Sequence, residues 1–63
     1  KVNVNSADRE LLLSIKGVGE KLADRIILYR QMNGPFEVLE DLKAVNGITA
    51  YRYDMIQREA TVK

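Results

Sequence analysis

The sequence contains neither cysteine nor histidine. Disulfides, thiolate zinc sites and imidazole chemistry are therefore excluded, and no ordinary nucleophile–base pair can be assembled. The lack of cysteine fits either redox compartment. No apolar run approaches the roughly 20 residues that span a bilayer, and no signal peptide is visible. An excess of one charge is missing too: ten Lys/Arg stand against nine Asp/Glu, for a net charge of +1. Any electrostatic footprint must come from placement, not from totals. The 63 residues are expected to form one domain. A chain of this size buries only about 60% of the surface it exposes when unfolded, so its core must be compact and helical or be helped by a partner. It starts at Lys1 in the middle of an apolar–polar alternation, as a piece cut from a longer protein would.

Glycine is scarce, four in all, yet two of the four flank Val18 in the stretch IKGVGEKLA. The apolar spacing places this triplet between helices. Val2 and Val4 alternate with Asn3 and Asn5, which suits a short extended arm. Ser6 or Asp8 can N-cap a brief helix to about Ser14, burying Leu12 and Leu13 or Leu11. A long helix is expected over Glu20–Met32, with Leu22, Ala23, Ile26, Ile27 and Tyr29 on one face. Gly34, as a left-handed cap, and Pro35 end it. A third short helix is expected over Val38–Ala44 and a fourth over Ala50–Glu59, and the tail ATVK can pair with the N-terminal arm.

The chain also repeats itself at a shift of 30 residues. Glu10, Leu12, Gly17, Asp24 and Ile26 recur as Glu40, Leu42, Gly47, Asp54 and Ile56, while Ile15/Val45 and Val18/Ile48 match in kind. A unit of this kind cannot bury its apolar face alone and packs against its copy. Each unit reads as helix, glycine hairpin, helix. The expected core comprises Leu12, Ile15, Leu22, Ile26, Leu42, Val45, Tyr53 and Ile56, with Val18 and Ile48 buried at equivalent places.

A dinucleotide-binding fingerprint would need a strand before the triplet, a third glycine and a βαβ unit, none of which is present. Two readings remain. Two glycines between antiparallel helices can be no more than a tight turn. Alternatively, Gly17 takes a backbone angle open to glycine, Val18 staples the helices, and Gly19 opens a helix whose free N–H groups attract an anion. Lys21 stands one turn in, and Lys16 and Arg25 lie near enough to add charge. Two such hairpins side by side would hold a phosphate backbone without reading bases.

The motifs VNVNSA, GVGEKLADRII, YRQMNGPF, LEDL, NGI and TVK together resemble the tandem helix-hairpin-helix domain of ComEA-type competence proteins, over essentially the whole chain. That resemblance implies an all-α, SAM-like domain of four to five helices with short extended termini. The first hairpin would span about 8–32 and the second about 37–60. It also implies a receptor on the periplasmic or outer side of the cytoplasmic membrane that binds double-stranded DNA without sequence preference during transformation. Other competence or membrane proteins would be its partners. Many members carry a membrane anchor and linker ahead of this domain. The DNA-binding role carries over to Gly17, Val18, Gly19 and Lys21, with Lys16 and Arg25 beside them. In the second hairpin, Gly47, Ile48, Thr49 and Arg52 occupy the corresponding region, but Thr49 and Tyr51 replace the family's glycine and lysine. Thr49 is a good N-cap whose hydroxyl takes up N–H groups a phosphate would otherwise meet, so the second grip is expected to be weak. No cofactor is implied, beyond the monovalent cation that some helix-hairpin-helix loops hold on their carbonyls.

A protein-contact role is the competing expectation, since an extrinsic photosystem II subunit resembles the same domain. Tyr51 and Met55 would face outward, and Leu28 falls off the buried stripe. An enzyme is not expected, because the carboxylates are scattered among basic residues as on a solvated helix surface.

Overall fold

The computed structural model describes residues 1–63. In chain order it contains β1 (Val2–Asn3), α1 (Arg9–Leu13), α2 (Glu20–Asn33), a 3-10 helix (Leu39–Ala44), α3 (Ala50–Gln57) and β2 (Ala60–Thr61). The protein is thus mostly helical, with one departure from an all-helical chain. The N-terminal arm and the tail form a two-stranded parallel ladder, Val2 opposite Ala60 and Asn3 opposite Thr61. The Val2 and Val4 N–H groups donate to the Glu59 and Thr61 carbonyls, closing the two ends over Val4 and Ala60, both buried.

Local chemistry sets the element boundaries. Asp8 caps α1, its carboxylate accepting from the Leu11 N–H at 2.9 Å. Five residues cannot hold a helix alone; α1 is anchored by the fully buried Leu12, with Arg9 Nε meeting Asp24 Oδ1 of α2 at 2.7 Å on the surface. Gly34 ends α2 with φ 84° and ψ 178°. It is not the left-handed cap the sequence suggests: φ is positive but ψ is extended, so the chain runs straight on through Pro35 into Phe36. The third short helix, expected over about Val38–Ala44, is a 3-10 helix over Leu39–Ala44. Its six residues are fixed at one end by the Asp41 carboxylate, which accepts from the Glu37 and Val38 N–H groups, and at the other by the second hairpin. A run this short gains little from α-type bonding.

Fifteen residues form the core, and no polar or charged residue is buried. All eight expected core residues are among them, as are Val18 and Ile48. The 30-residue repeat holds down to individual bonds. Gly17 and Gly47 have φ of 98° and 101°, and the Val18 and Ile48 N–H groups donate to the Ile15 and Val45 carbonyls, each at 3.1 Å. More tellingly, the two units cross. A Cβ on Gly17 would lie 3.4 Å from Met55 Cβ, and one on Gly47 would lie 3.4 Å from Leu22 Cδ1. Each hairpin therefore rests on the second helix of the other unit.

Phe36 and Asn5 are core organisers that the helical pattern does not reveal. Phe36 stacks on Tyr29 with ring centroids 5.3 Å apart. Asn5 accepts from the Phe36 N–H at 2.7 Å and donates to the Phe36 and Val62 carbonyls, tying the N-terminal arm, the mid-chain loop and the tail together. Asn5→Ala should cost about 2 kcal/mol, because it strands polar groups in a half-buried place. Urea denaturation checks this, and a loss below about 0.5 kcal/mol, the level of an ordinary surface change, would contradict it.

Candidate nucleic-acid interface

The two second helices begin differently. At α2, Gly19 is the N-cap with φ −96°, and no side chain caps the helix. The first helical bond is Ala23 N–H to the Gly19 carbonyl at 2.9 Å, so the N–H groups of Glu20, Lys21 and Leu22 are left without protein partners. At α3, the Thr49 hydroxyl accepts from the Arg52 N–H at 3.2 Å. One donor that could meet an anion is therefore already occupied, as the sequence reading anticipated.

The open start of α2 borders a shallow groove of about 520 Å³ between the hairpins, bounded by Gly19–Leu22, Arg25, Gly47 and Arg52. Three cations face it: Lys21, Arg25 and Arg52. None of them is in an ion pair; the pairs on this protein are Arg9–Asp24, Lys43–Glu40 and Arg58–Asp54. Asp24, one turn into α2, is turned away onto Arg9, whose guanidinium is held above its ordinary range by that hydrogen bond and then by the charge itself. Glu20 is the single acid of the groove. Local charge is thus positive although the molecule is nearly neutral. Arg52 Nη1 donates to the Gly17 carbonyl at 3.0 Å, and Arg25 Nη1 donates to the Asn46 carbonyl at 3.3 Å.

The remaining sequence-derived candidates are placed differently. Val18 and Ile48 are buried, with their N–H groups bonded inside the hairpins. Lys16 lies outside the groove. It lines a separate depression with Tyr51, Met55 and Glu59, and its backbone N–H donates to Glu59 Oε1 at 3.1 Å. Tyr51 is 75% exposed and Met55 half-buried against Gly17, the two lining that depression together. Leu28 does fall off the buried stripe. With Met32, Tyr29 and Val45 it lines an apolar groove beside Asn46. Which guanidinium meets which hairpin carbonyl carried no signal in the sequence, since a backbone acceptor has no residue type to mark it.

The helix-hairpin-helix motif model matches residues 1–61. The chain is 44% identical over 62 residues to the ComE operon protein 1 of Bacillus subtilis, covering 98% of this chain and 30% of that protein. It is 41% identical over 59 residues to the endonuclease/exonuclease/phosphatase family domain-containing protein 1 of Rattus norvegicus, covering 94% of this chain and 10% of that one. The chain thus spans a third or less of the length of these relatives.

The glycines separate by position. A Cβ on Gly19 meets nothing within 4 Å, while one on Gly47 would lie 2.7 Å from Arg25 Nη1 at a positive φ. Gly19→Ala should cost about 0.5–1 kcal/mol through the weaker cap, and Gly47→Ala should cost more, with about 1–2 kcal/mol from the backbone alone. Thermal and urea unfolding of the two variants tests the order, and equal or reversed losses would contradict it.

Proposed function

Because the chain belongs to the helix-hairpin-helix family, we propose that it binds double-stranded DNA through backbone phosphates, without reading sequence, as part of a DNA-uptake receptor. One observation supports this reading above the others: an uncapped helix start opens onto a groove with three unpaired cations. Free N–H groups and the helix dipole favour an anion there, and Lys21, Arg25 and Arg52 add charge at a density the net +1 does not suggest. Contacts of this type hold the duplex but carry no sequence information.

On this reading the first hairpin is the main grip and the second, capped by Thr49 and lacking a lysine at position 51, contributes less. The role is binding rather than catalysis. The relative named for an endonuclease/exonuclease/phosphatase domain shares only a tenth of its length with this chain. No metal or other cofactor enters this reading. The resemblance to competence proteins, and the ComE operon name of the Bacillus subtilis relative, favour work outside the cytoplasmic membrane beside other uptake proteins. No helix here is long and apolar enough to cross a membrane.

Fluorescence anisotropy with a labelled duplex tests the reading. A first hairpin acting almost alone neutralises about two phosphates, so affinity should fall about tenfold between about 50 and 200 mM salt, and two equal hairpins would give about a hundredfold. Gly19→Val with Lys21→Glu should weaken binding at least about tenfold, while Thr49→Gly with Tyr51→Lys should strengthen it and steepen the salt slope by about one unit. Circular dichroism confirms helicity. Unchanged binding in the first pair, or a strong preference for one duplex sequence, would contradict the proposal. Loss of a protein contact on changing Leu28 and Met32, with DNA binding absent throughout, would favour an interaction module.

A further inference from the structure

Two hairpin carbonyls find no donor in their own units. No backbone N–H reaches Gly17 O or Asn46 O. Each is met instead from the opposite unit, Gly17 O by Arg52 Nη1 at 3.0 Å and Asn46 O by Arg25 Nη1 at 3.3 Å. The two contacts run in opposite directions across the groove, so each hairpin is tied to the helix of the other.

These ties are not a by-product of the repeat. At the 30-residue shift, Arg52 corresponds to Leu22 and Arg25 corresponds to Met55, so the arginines stand one turn apart on equivalent helices. Neither has a carboxylate within salt-bridge distance, and the carbonyl is therefore the group that orients each guanidinium. Gly47 gains a second reason to be glycine: a Cβ there would sit 2.7 Å from Arg25 Nη1 and push the guanidinium off its carbonyl.

We infer that Arg25 and Arg52 are positioning residues, which fix the separation of the two hairpins and so the spacing at which phosphate donors are presented. The inference rests on the DNA-binding reading above. A duplex is held at two places only if both are at the right distance; a loosened pair lowers the effective concentration of the second contact. Charge and position can be separated chemically. A lysine at either site keeps the charge, but its ammonium ends one bond short of Nη1, is more strongly hydrated and lacks the planar fork.

The test is Arg25→Lys with Arg52→Lys in the 63-residue chain, read by duplex binding against salt and by amide hydrogen exchange. The double variant should bind about threefold more weakly, the second hairpin giving the smaller share of the grip, at a salt slope no steeper than the parent's. The Val18 and Ile48 amides in the hairpins should exchange faster, while the Ile26 amide in α2 exchanges as in the parent. Should the double variant lose its helical signal, Arg52→Lys alone carries the test, with an expected loss of about twofold. Parent-like affinity in the lysine variants would show that charge alone matters and would overturn the positioning role. A parent that does not bind duplex overturns the functional reading first, and the positioning role with it, so the two failures are told apart by the parent alone.

Discussion

Everything in this molecule depends on the seating of each hairpin glycine against the second helix of the opposite unit. Gly17 lies on Met55 and Ile56, and Gly47 lies on Leu22 and Arg25. Neither unit could bury Leu12, Ile15 and Ile26, or Leu42, Val45 and Ile56, by itself, because each supplies only one side of the core. A side chain at position 17 or 47 would be strained by the positive φ, and at 47 it would also displace the Arg25 guanidinium. The same seating brings the two helix starts to one face of the protein. The site is therefore a consequence of how the core closes.

Once the hairpins face the same way, small differences decide what each can do. Gly19 leaves the start of α2 open, and Thr49 closes part of the start of α3 with its hydroxyl. Ion pairing sharpens the contrast. Asp24 is drawn to Arg9 and Asp54 to Arg58, which leaves Lys21, Arg25 and Arg52 unopposed except by Glu20. A protein with almost no net charge thereby acquires one positive groove. Total charge is a poor guide to such a surface, because screening leaves only the nearest charges to act on a bound phosphate.

The repeat, the glycine pair and the apolar spacing made the helical units and the central core legible, since each leaves a mark at fixed intervals in the chain. Ala7, Phe36 and Ala60 escaped because they belong to segments too short to show a period. Asn5 escaped for another reason: its three partners are backbone groups up to 57 positions away. The 3-10 form of Leu39–Ala44 was hidden because its apolar spacing suits either helix and length decides between them. At the site, residue types pointed to Gly19, Lys21 and Thr49. Lys16, also a candidate, lines a separate depression with Tyr51 and Glu59. Which cation pairs with which anion is a tertiary question, and neighbours four apart in sequence did not predict that Asp24 would meet Arg9.

The central claim is that the uncapped start of α2, with the cations around it, is where a duplex is held. A titration of the 15N-labelled chain with a short DNA duplex, followed by amide chemical shifts, addresses it residue by residue. The account predicts the largest shifts at Glu20, Lys21 and Leu22, smaller ones at Ala50 and Tyr51, and little change along Leu28 and Met32. Shifts centred on the Leu28–Met32 groove, or on α3 ahead of α2, would contradict it.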